Sequence, residues 1–250
     1  MSIPVIINGA KGKMGQLTIK ALEALPDFSI VGCPTKEDNL EKMIKDQKAK
    51  IVIDFTNAHS VFTNTNTIIR AGAHPIIGTS GLVKGQIQML QNECRTMHLG
   101  GLIIPNFSIG AVLMMKYAEK IVQYFPNVEI IEMHHAGKLD SPSGTAIRTA
   151  ELLANSRPLF PEKTGPIRQT IDGARGANYQ DIPIHSIRLP GLLANQQIIF
   201  GNTGETLTLR HDTIDRECFI PGIILSCKKV LGLKELVYGL EHILEDTVVS

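Results

Sequence analysis

Residues 132–146 read EMHHAGKLDSPSGTA and crowd reactive side chains into one short stretch. His134, His135 and Lys138 bring three groups able to carry positive charge close to Ser143-Gly144-Thr145. The apolar spacing of the following AIRTAELLAN predicts a helix, so Ser-Gly-Thr falls where that helix begins. Unpaired amides and hydroxyls at such a start can hold a carboxylate. A plain N-cap uses the same groups, so Ser-Gly-Thr alone leaves both readings open. The cations tip the balance. Like charges ~4 Å apart repel by ~4 kcal/mol at an effective dielectric of ~20, so clustering them calls for an anion, here a small dicarboxylate. A histidine that exchanges a proton near neutral pH suits a general acid. Asp140 either pairs with Lys138 or caps a turn. Zinc is a poor fit, because adjacent histidines on a strand point to opposite faces and no third ligand stands out; no metal is expected.

The elements that must position this stretch follow from the apolar pattern. Strands are predicted at 3–8, 28–33, 51–55, 75–77 and 101–104, alternating with helices at 13–25, 40–48, 60–71 and 85–97. Repeated βα units of this size predict an α/β fold, a Rossmann-type doubly wound parallel sheet. After Pro105 the pattern changes. A helix at 108–124 leads to a strand at 128–134, a helix at 146–155, and a polar loop at 156–182. Three alternating strands follow, IPIHSIRL, NQQIIF and ETLTLRH, predicting a mixed or antiparallel sheet. Residues 217–246 read as mainly helical, interrupted near Gly232. The expected organisation is a dinucleotide-type domain over 1–105 plus 215–250. A second α+β domain over 106–214 would bind substrate and serve oligomerisation.

The turn after the first strand, Gly9-Ala10-Lys11-Gly12-Lys13-Met14-Gly15, joins strand to helix. Glycines there permit a tight turn and close approach of backbone to a pyrophosphate, and the helix start offers N–H groups to phosphates. Lys11 and Lys13 add attraction. The second strand runs into Thr35 and Lys36, a neutral and a cationic residue where an acidic one would bind the ribose of NAD. That leaves room for a 2′-phosphate and points to NADPH, with NADH tolerated. Gly78-Thr79-Ser80 and Pro105-Asn106-Phe107 follow two further strands, at the carboxyl ends where ligands collect in such sheets.

The totals exclude several classes. The 250 residues carry 25 Lys plus Arg against 24 Asp plus Glu, a net charge of +1, so no nucleic-acid or membrane-surface partner is expected. No apolar run approaches a membrane span. Cys33, Cys94, Cys218 and Cys227 form no CxxC and read as reduced thiols, which predicts a cytoplasmic protein.

The quoted stretch resembles the signature of the dihydrodipicolinate reductase family, Glu-x-His-His-x-x-Lys-x-Asp-x-Pro-Ser-Gly-Thr-Ala, without a gap from Glu132 to Ala146. Shorter matches stand in order along the chain: GAKGKMG, IDFT at 53–56, GTSG at 78–81, PNFSIG at 105–110 and HSIRLPG at 185–191. The resemblance implies NADPH or NADH as hydride donor and a homotetramer. It implies His134 as general acid and Lys138 as second proton donor or orienting cation. It gives His135, Gly144 and Thr145 to the substrate carboxylates, beside Ser143. It gives Gly9 to Met14, Gly78 to Ser80, and Ile104 to Phe107 to the cofactor. Two departures concern the adenosine end: the segment between Thr35 and Ile51 is short, and Thr35 and Lys36 stand where many relatives carry an acidic residue then arginine.

The expected reaction is reduction of 4-hydroxy-tetrahydrodipicolinate, with substrate held between the domains. A semialdehyde dehydrogenase would need a nucleophilic cysteine in a cofactor-facing loop, whereas Cys94 and Cys227 lie in helical patterns and Cys218 near a helix start. A non-catalytic nucleotide sensor would not need the His-His-Lys cluster.

Overall fold

The computed structural model describes residues 2–158 and 168–244. The chain divides into two units, Met1–Ile109 with Phe219–Ser250, and Gly110–Cys218.

The first unit alternates β1 (Ile3–Asn8), α1 (Lys13–Glu23), β2 (Phe28–Gly32), α2 (Leu40–Gln47), β3 (Ile51–Asp54), α3 (Val61–Arg70), β4 (His74–Ile77), α4 (Lys84–Thr96) and β5 (Gly101–Ile103). The chain returns to it as α7 (Ile220–Lys229), β11 (Leu236–Tyr238) and α8 (Glu241–Leu244). The strands form one parallel sheet in the order β11-β5-β4-β3-β1-β2. The sequence of β3, IVID, is buried throughout, as a strand covered on both faces must be. Ile6, Val52, Ile68, Ile69, Ile77, Leu90 and Leu236 share one core cluster with these strands and helices. The order reverses at β1: β2 lies on one side of it and β3 on the other. The carboxyl ends of β1 and β3 therefore flank the switch point where such sheets bind ligands.

The second unit contains α5 (Ile109–Ile121), β6 (Asn127–His134), α6 (Gly144–Ser156), β7 (Ala177–Tyr179), β8 (Ile182–Arg188), β9 (Ala194–Asn202) and β10 (Glu205–Thr213). Its sheet runs β10-β9-β6-β8-β7, with β6 and β8 parallel and the other neighbours antiparallel. Strand alternation sorts the side chains onto two faces. Val128, Ile130, Ile184, Ile198 and Phe200 pack with Met114 and Ala118 of α5 and Ala146, Ala150 and Leu153 of α6. The opposite face carries Glu129, Ile131, Met133, His185, Ile187, Gln197 and Ile199, all half-buried. Residues 159–167 of the expected loop, and the last part of the helix expected to reach 246, lie outside the described residues.

Two strands escape the sequence pattern. β7 sits inside the segment expected to be loop and pairs antiparallel with β8. β11 falls inside the segment expected to be helical and pairs parallel with β5, Leu236 opposite Gly101. At three residues neither is long enough for alternation to register, and both are held by the neighbour they pair with. Leu236 is fully buried in the first core cluster. Leu236→Ala is expected to destabilise the protein by about 2–5 kcal/mol, read by chemical denaturation, through lost burial and a residual cavity. A change under ~1 kcal/mol would mean that β11 is peripheral to the sheet.

Candidate functional site

The site residues fall into two groups, one in each unit. In the first unit β1 ends in Asn8 and turns at Gly9, whose φ of 88° is a left-handed conformation that side chains resist. A Cβ on Gly9 would stand 2.5 Å from the Phe55 carbonyl oxygen, and one on Gly15 would stand 2.4 Å from the Gly9 carbonyl oxygen. Strand, turn and helix can approach this closely only without those atoms. The Gly12 N–H closes the turn by donating to the Gly9 carbonyl at 3.0 Å. Gly12 caps α1 with no side-chain bond to the first turn, so the amides of Lys13 to Gly15 face outward unpaired within the helix. This cradle fits a dinucleotide diphosphate.

Asp54, last residue of β3, organises the neighbouring turns. Its carboxylate is fully buried and accepts from Asn8 Nδ2 at 2.9 Å, Asn64 Nδ2 at 2.9 Å, Thr56 N at 3.0 Å and Thr56 Oγ1 at 2.7 Å. Thr79 Oγ1 donates to it as well, at 2.6 Å. Thr79 is thus tied to the end of β3, while Ser80 is exposed. The Ile104 N–H donates to the Ile77 carbonyl at 2.8 Å. Ile104 and Phe107 are buried, Phe107 edge-on to Phe55 with ring centroids 5.7 Å apart. Gly78 lies against both rings, which leave no space for a Cβ. Ile104 and Phe107 therefore support the turns with their side chains and can meet a ligand only through backbone. Pro105 is exposed, and Asn106 Oδ1 accepts from the Ser108 N–H at 2.9 Å.

Beyond β2, Thr35 donates through both N and Oγ1 to Asp38 Oδ2, at 2.7 and 2.8 Å. The backbone bond from Thr35, then its hydroxyl, hold the Asp38 carboxyl below its usual range. Thr35 is occupied by this turn, whereas Lys36 is exposed.

In the second unit β6 ends at His134, so His135 lies outside the strand and is exposed. The His135 carbonyl accepts from the Lys138 N–H at 3.1 Å, closing a turn that brings Lys138 back. Lys138 Nζ donates to both carboxylate oxygens of Asp140, at 2.7 and 2.9 Å. That bond holds the Asp140 carboxyl below its usual range. Of the two roles open to Asp140, the geometry supplies the pairing.

Glu132, two residues before His134 and on the same strand face, is fully buried. Its Oε2 accepts from His134 Nδ1 at 2.5 Å and from Arg188 Nη1 at 2.9 Å. Its Oε1 accepts from Arg188 Nη2 at 2.7 Å and from the Ser143 N–H at 3.2 Å. Burial pushes the Glu132 carboxyl up, and hydrogen bonds from Arg188, Ser186 and His134 outweigh it, holding it below its usual range. Burial pushes the His134 imidazole down, against the opposing pull of Glu132.

Ser143 has both groups in use: its N–H goes to Glu132, and its Oγ caps α6 by accepting from the Ala146 N–H at 3.2 Å. The capping reading holds for its hydroxyl. The next two amides, of Gly144 and Thr145, have no acceptor within the helix, and the space beside Gly144 is open. These are the groups of the stretch left able to meet an anion. Sequence reasoning passed over Glu132, Arg188 and Asp54 as working residues. The first is signalled by its period-two spacing from His134, the other two only by tertiary pairing.

A family model described as the N-terminus of dihydrodipicolinate reductase matches residues 3–107, and one described as its C-terminus matches residues 110–244. The chain belongs to the dihydrodipicolinate reductase family. A 4-hydroxy-tetrahydrodipicolinate reductase from Legionella pneumophila (strain Lens) is 54% identical over 98% of this chain and 100% of its own. One from Coxiella burnetii (strain Dugway 5J108-111) is 52% identical over the same shares. A solved dipicolinate-bound dihydrodipicolinate reductase from Paenisporosarcina sp. TG-14 superposes with a TM-score of 0.91 at 42% identity, over 97% of this chain and 100% of the other. GenD2 from gentamicin A biosynthesis, in complex with NAD, shares the fold alone, at TM-score 0.63 and 11% identity over 97% of this chain and 90% of the other. As a dihydrodipicolinate reductase family member, the chain is an oxidoreductase that works with NADPH or NADH.

The buried Asp54 network makes a separable prediction. Asp54→Ala is expected to cost about 3 kcal/mol of stability, since it strands donors that bond a charged acceptor. It should also weaken binding of the reduced dinucleotide in a fluorescence titration. Unchanged stability and affinity would show that the turns hold their shape without it.

Proposed function

We propose that this chain reduces 4-hydroxy-tetrahydrodipicolinate to tetrahydrodipicolinate in lysine and diaminopimelate biosynthesis, with the second unit holding the substrate and supplying its protons. The observation that carries this reading is the gathering of two proton-bearing groups at the start of α6: His134 shares the Glu132 carboxylate with the Ser143 amide that begins the helix, and Lys138 stands near enough for its charge to act on the His134 imidazole. Such an arrangement suits a compact dianion. One substrate carboxylate is placed on the Gly144 and Thr145 amides, the other near Lys138 and His135. The dipicolinate bound to the Paenisporosarcina relative, a ring with two carboxylates, supports this assignment.

The diphosphate of the cofactor is assigned to Gly9, Ala10, Lys11, Gly12, Lys13 and Met14, and its adenosine end to Thr35 and Lys36. Its nicotinamide end is assigned to Gly78, Thr79, Ser80 and the backbone of Ile104 to Phe107. The reduced nicotinamide supplies hydride when bound. Exchanging a ring hydroxyl for hydrogen needs a proton for the departing hydroxide, so this chain must supply an acid. The Lys138 ammonium, held by Asp140, serves at the hydroxide. Hydride arriving at the unsaturated ring leaves a ring carbon in need of a proton, and His134 as general acid supplies it. Holding substrate, cation and imidazole in one geometry lowers the entropic part of the barrier.

We propose a homotetramer assembled through the open face of the second sheet, where Ile131, Met133, Ile187 and Ile199 form an apolar stripe. Glu129, held by His185 at 2.7 Å and by Arg175, edges that stripe. We place the protein in the cytoplasm: its cysteines stand as thiols, and among the described residues no helix is long and apolar enough to cross a membrane.

Separate His134→Gln and Lys138→Ala variants are expected to lose ~10²–10⁴-fold in turnover. Near-normal turnover in both would sink the assignment. Ile131→Asp is expected to dissociate the assembly in sedimentation velocity, and an unchanged sedimentation coefficient would place the interface elsewhere.

A further inference from the structure

The acid histidine and the lysine are held by one ion pair. Glu132 is fully buried, and the Arg188 side chain is only 19% exposed. The guanidinium forks onto both carboxylate oxygens, and the same Nη2 that reaches Oε1 also donates to the Asp140 carbonyl at 2.7 Å. The pairing is dictated by register, since His134 on β6 stands opposite Arg188 on β8. From this pair one arm reaches His134, through Glu132 Oε2. The other reaches Lys138, through the backbone of Asp140 and then the Asp140 carboxylate.

We propose that Arg188 and Glu132 are positioning residues for both proton donors: they fix His134 as the Nδ1–H tautomer with Nε2 presented to substrate, and anchor the Lys138 turn. The inference rests on the roles given above to His134 and Lys138. Its first half follows from donor chemistry. An ionised carboxylate only accepts hydrogen bonds, so the ring nitrogen 2.5 Å from Glu132 Oε2 must be the one carrying hydrogen. In a neutral ring Nε2 is then a lone pair. The groups facing His134 are Glu132 on its own strand, Lys138 on the following turn and Arg188 on β8. Burial pushes the imidazole down against the pull of Glu132, and the two cations add to burial, so the substrate-free protein favours the neutral ring. A bound dianion offsets those cations and restores the charged form. Substrate binding therefore takes up a proton, which Nε2 then holds at the reacting ring.

The second half follows from shape. A guanidinium can grip a carboxylate with two parallel bonds while a further N–H reaches a carbonyl, and a lysine ammonium cannot reproduce that fork. Arg188→Lys keeps the charge and removes the geometry.

The test combines spectroscopy on the unsubstituted protein with kinetics on two variants. Imidazole 15N shifts of His134 without substrate are expected to report the Nδ1–H tautomer, with an additional proton bound when dipicolinate is added. A neutral Nε2–H tautomer would overturn the proposal without any variant having to fold. Glu132→Gln and Arg188→Lys are expected to lower kcat ~10–100-fold, as loss of an orienting partner does, with substrate KM changing far less. The acidic limb of the pH profile should move in both. Wild-type kcat and pH profile in both variants, alongside an inactive His134→Gln, would reject the positioning role and leave the catalytic reading standing. An active His134→Gln would instead remove the reading itself.

Discussion

A carboxylate taken wholly out of water must be met by donors, and each unit of this chain is arranged around one that is. Asp54 ends the third strand of the first sheet, and Glu132 lies near the end of the central strand of the second. An unmet buried charge costs several kcal/mol, so the segments that carry the donors are not free to drift. Their chemistry differs in kind. Asp54 is met by amide and hydroxyl groups of Asn8, Thr56, Asn64 and Thr79. That leaves shaped backbone for a ligand that brings its own charge. Glu132 is met by a guanidinium and an imidazole, which places charge itself.

The distinction explains what could be read from the chain alone. The parallel sheet was legible because IVIDF and its neighbours are continuous apolar runs spaced by helix patterns. The glycine turn was legible because strand, glycines and helix follow one another without interruption. The Glu132–Ala146 stretch announced itself by density of residue type. What stayed hidden depends on contacts far apart in sequence. Arg188 is 56 residues from Glu132 and meets it only through the β6–β8 register. Asp54 sits within an apolar strand pattern, and its partner Thr79 comes from beyond the next strand. Ser143 shows the opposite limit: its type and place were evident, but whether its hydroxyl capped the helix or faced an anion depended on where Ala146 and Glu132 stood.

The same stretch also divides labour more finely than its composition suggests. Of the first amides and hydroxyls at the start of α6, those of Ser143 maintain the helix and its link to Glu132, while Gly144 and Thr145 keep unpaired amides. Of the two histidines, one is locked by a carboxylate and the other is exposed past the strand end. Lys138 is held by an aspartate that itself stands near water; such a pair contributes little stability, about 0–1 kcal/mol, and its use is to keep the ammonium in place.

The return of the chain to its first sheet bears on how the molecule is made. β5 finds its outer neighbour in β11, residues 236–238, which leave the ribosome long after the strands they complete. Everything between Gly110 and Cys218 emerges in one piece and can assemble its own sheet first. The nascent first unit waits with an unpaired strand edge while the second is being built, an exposure that invites association with other chains. The interval lengthens with every residue inserted into the second unit. Any enlargement of the second unit is therefore felt as a longer period of vulnerability in the first.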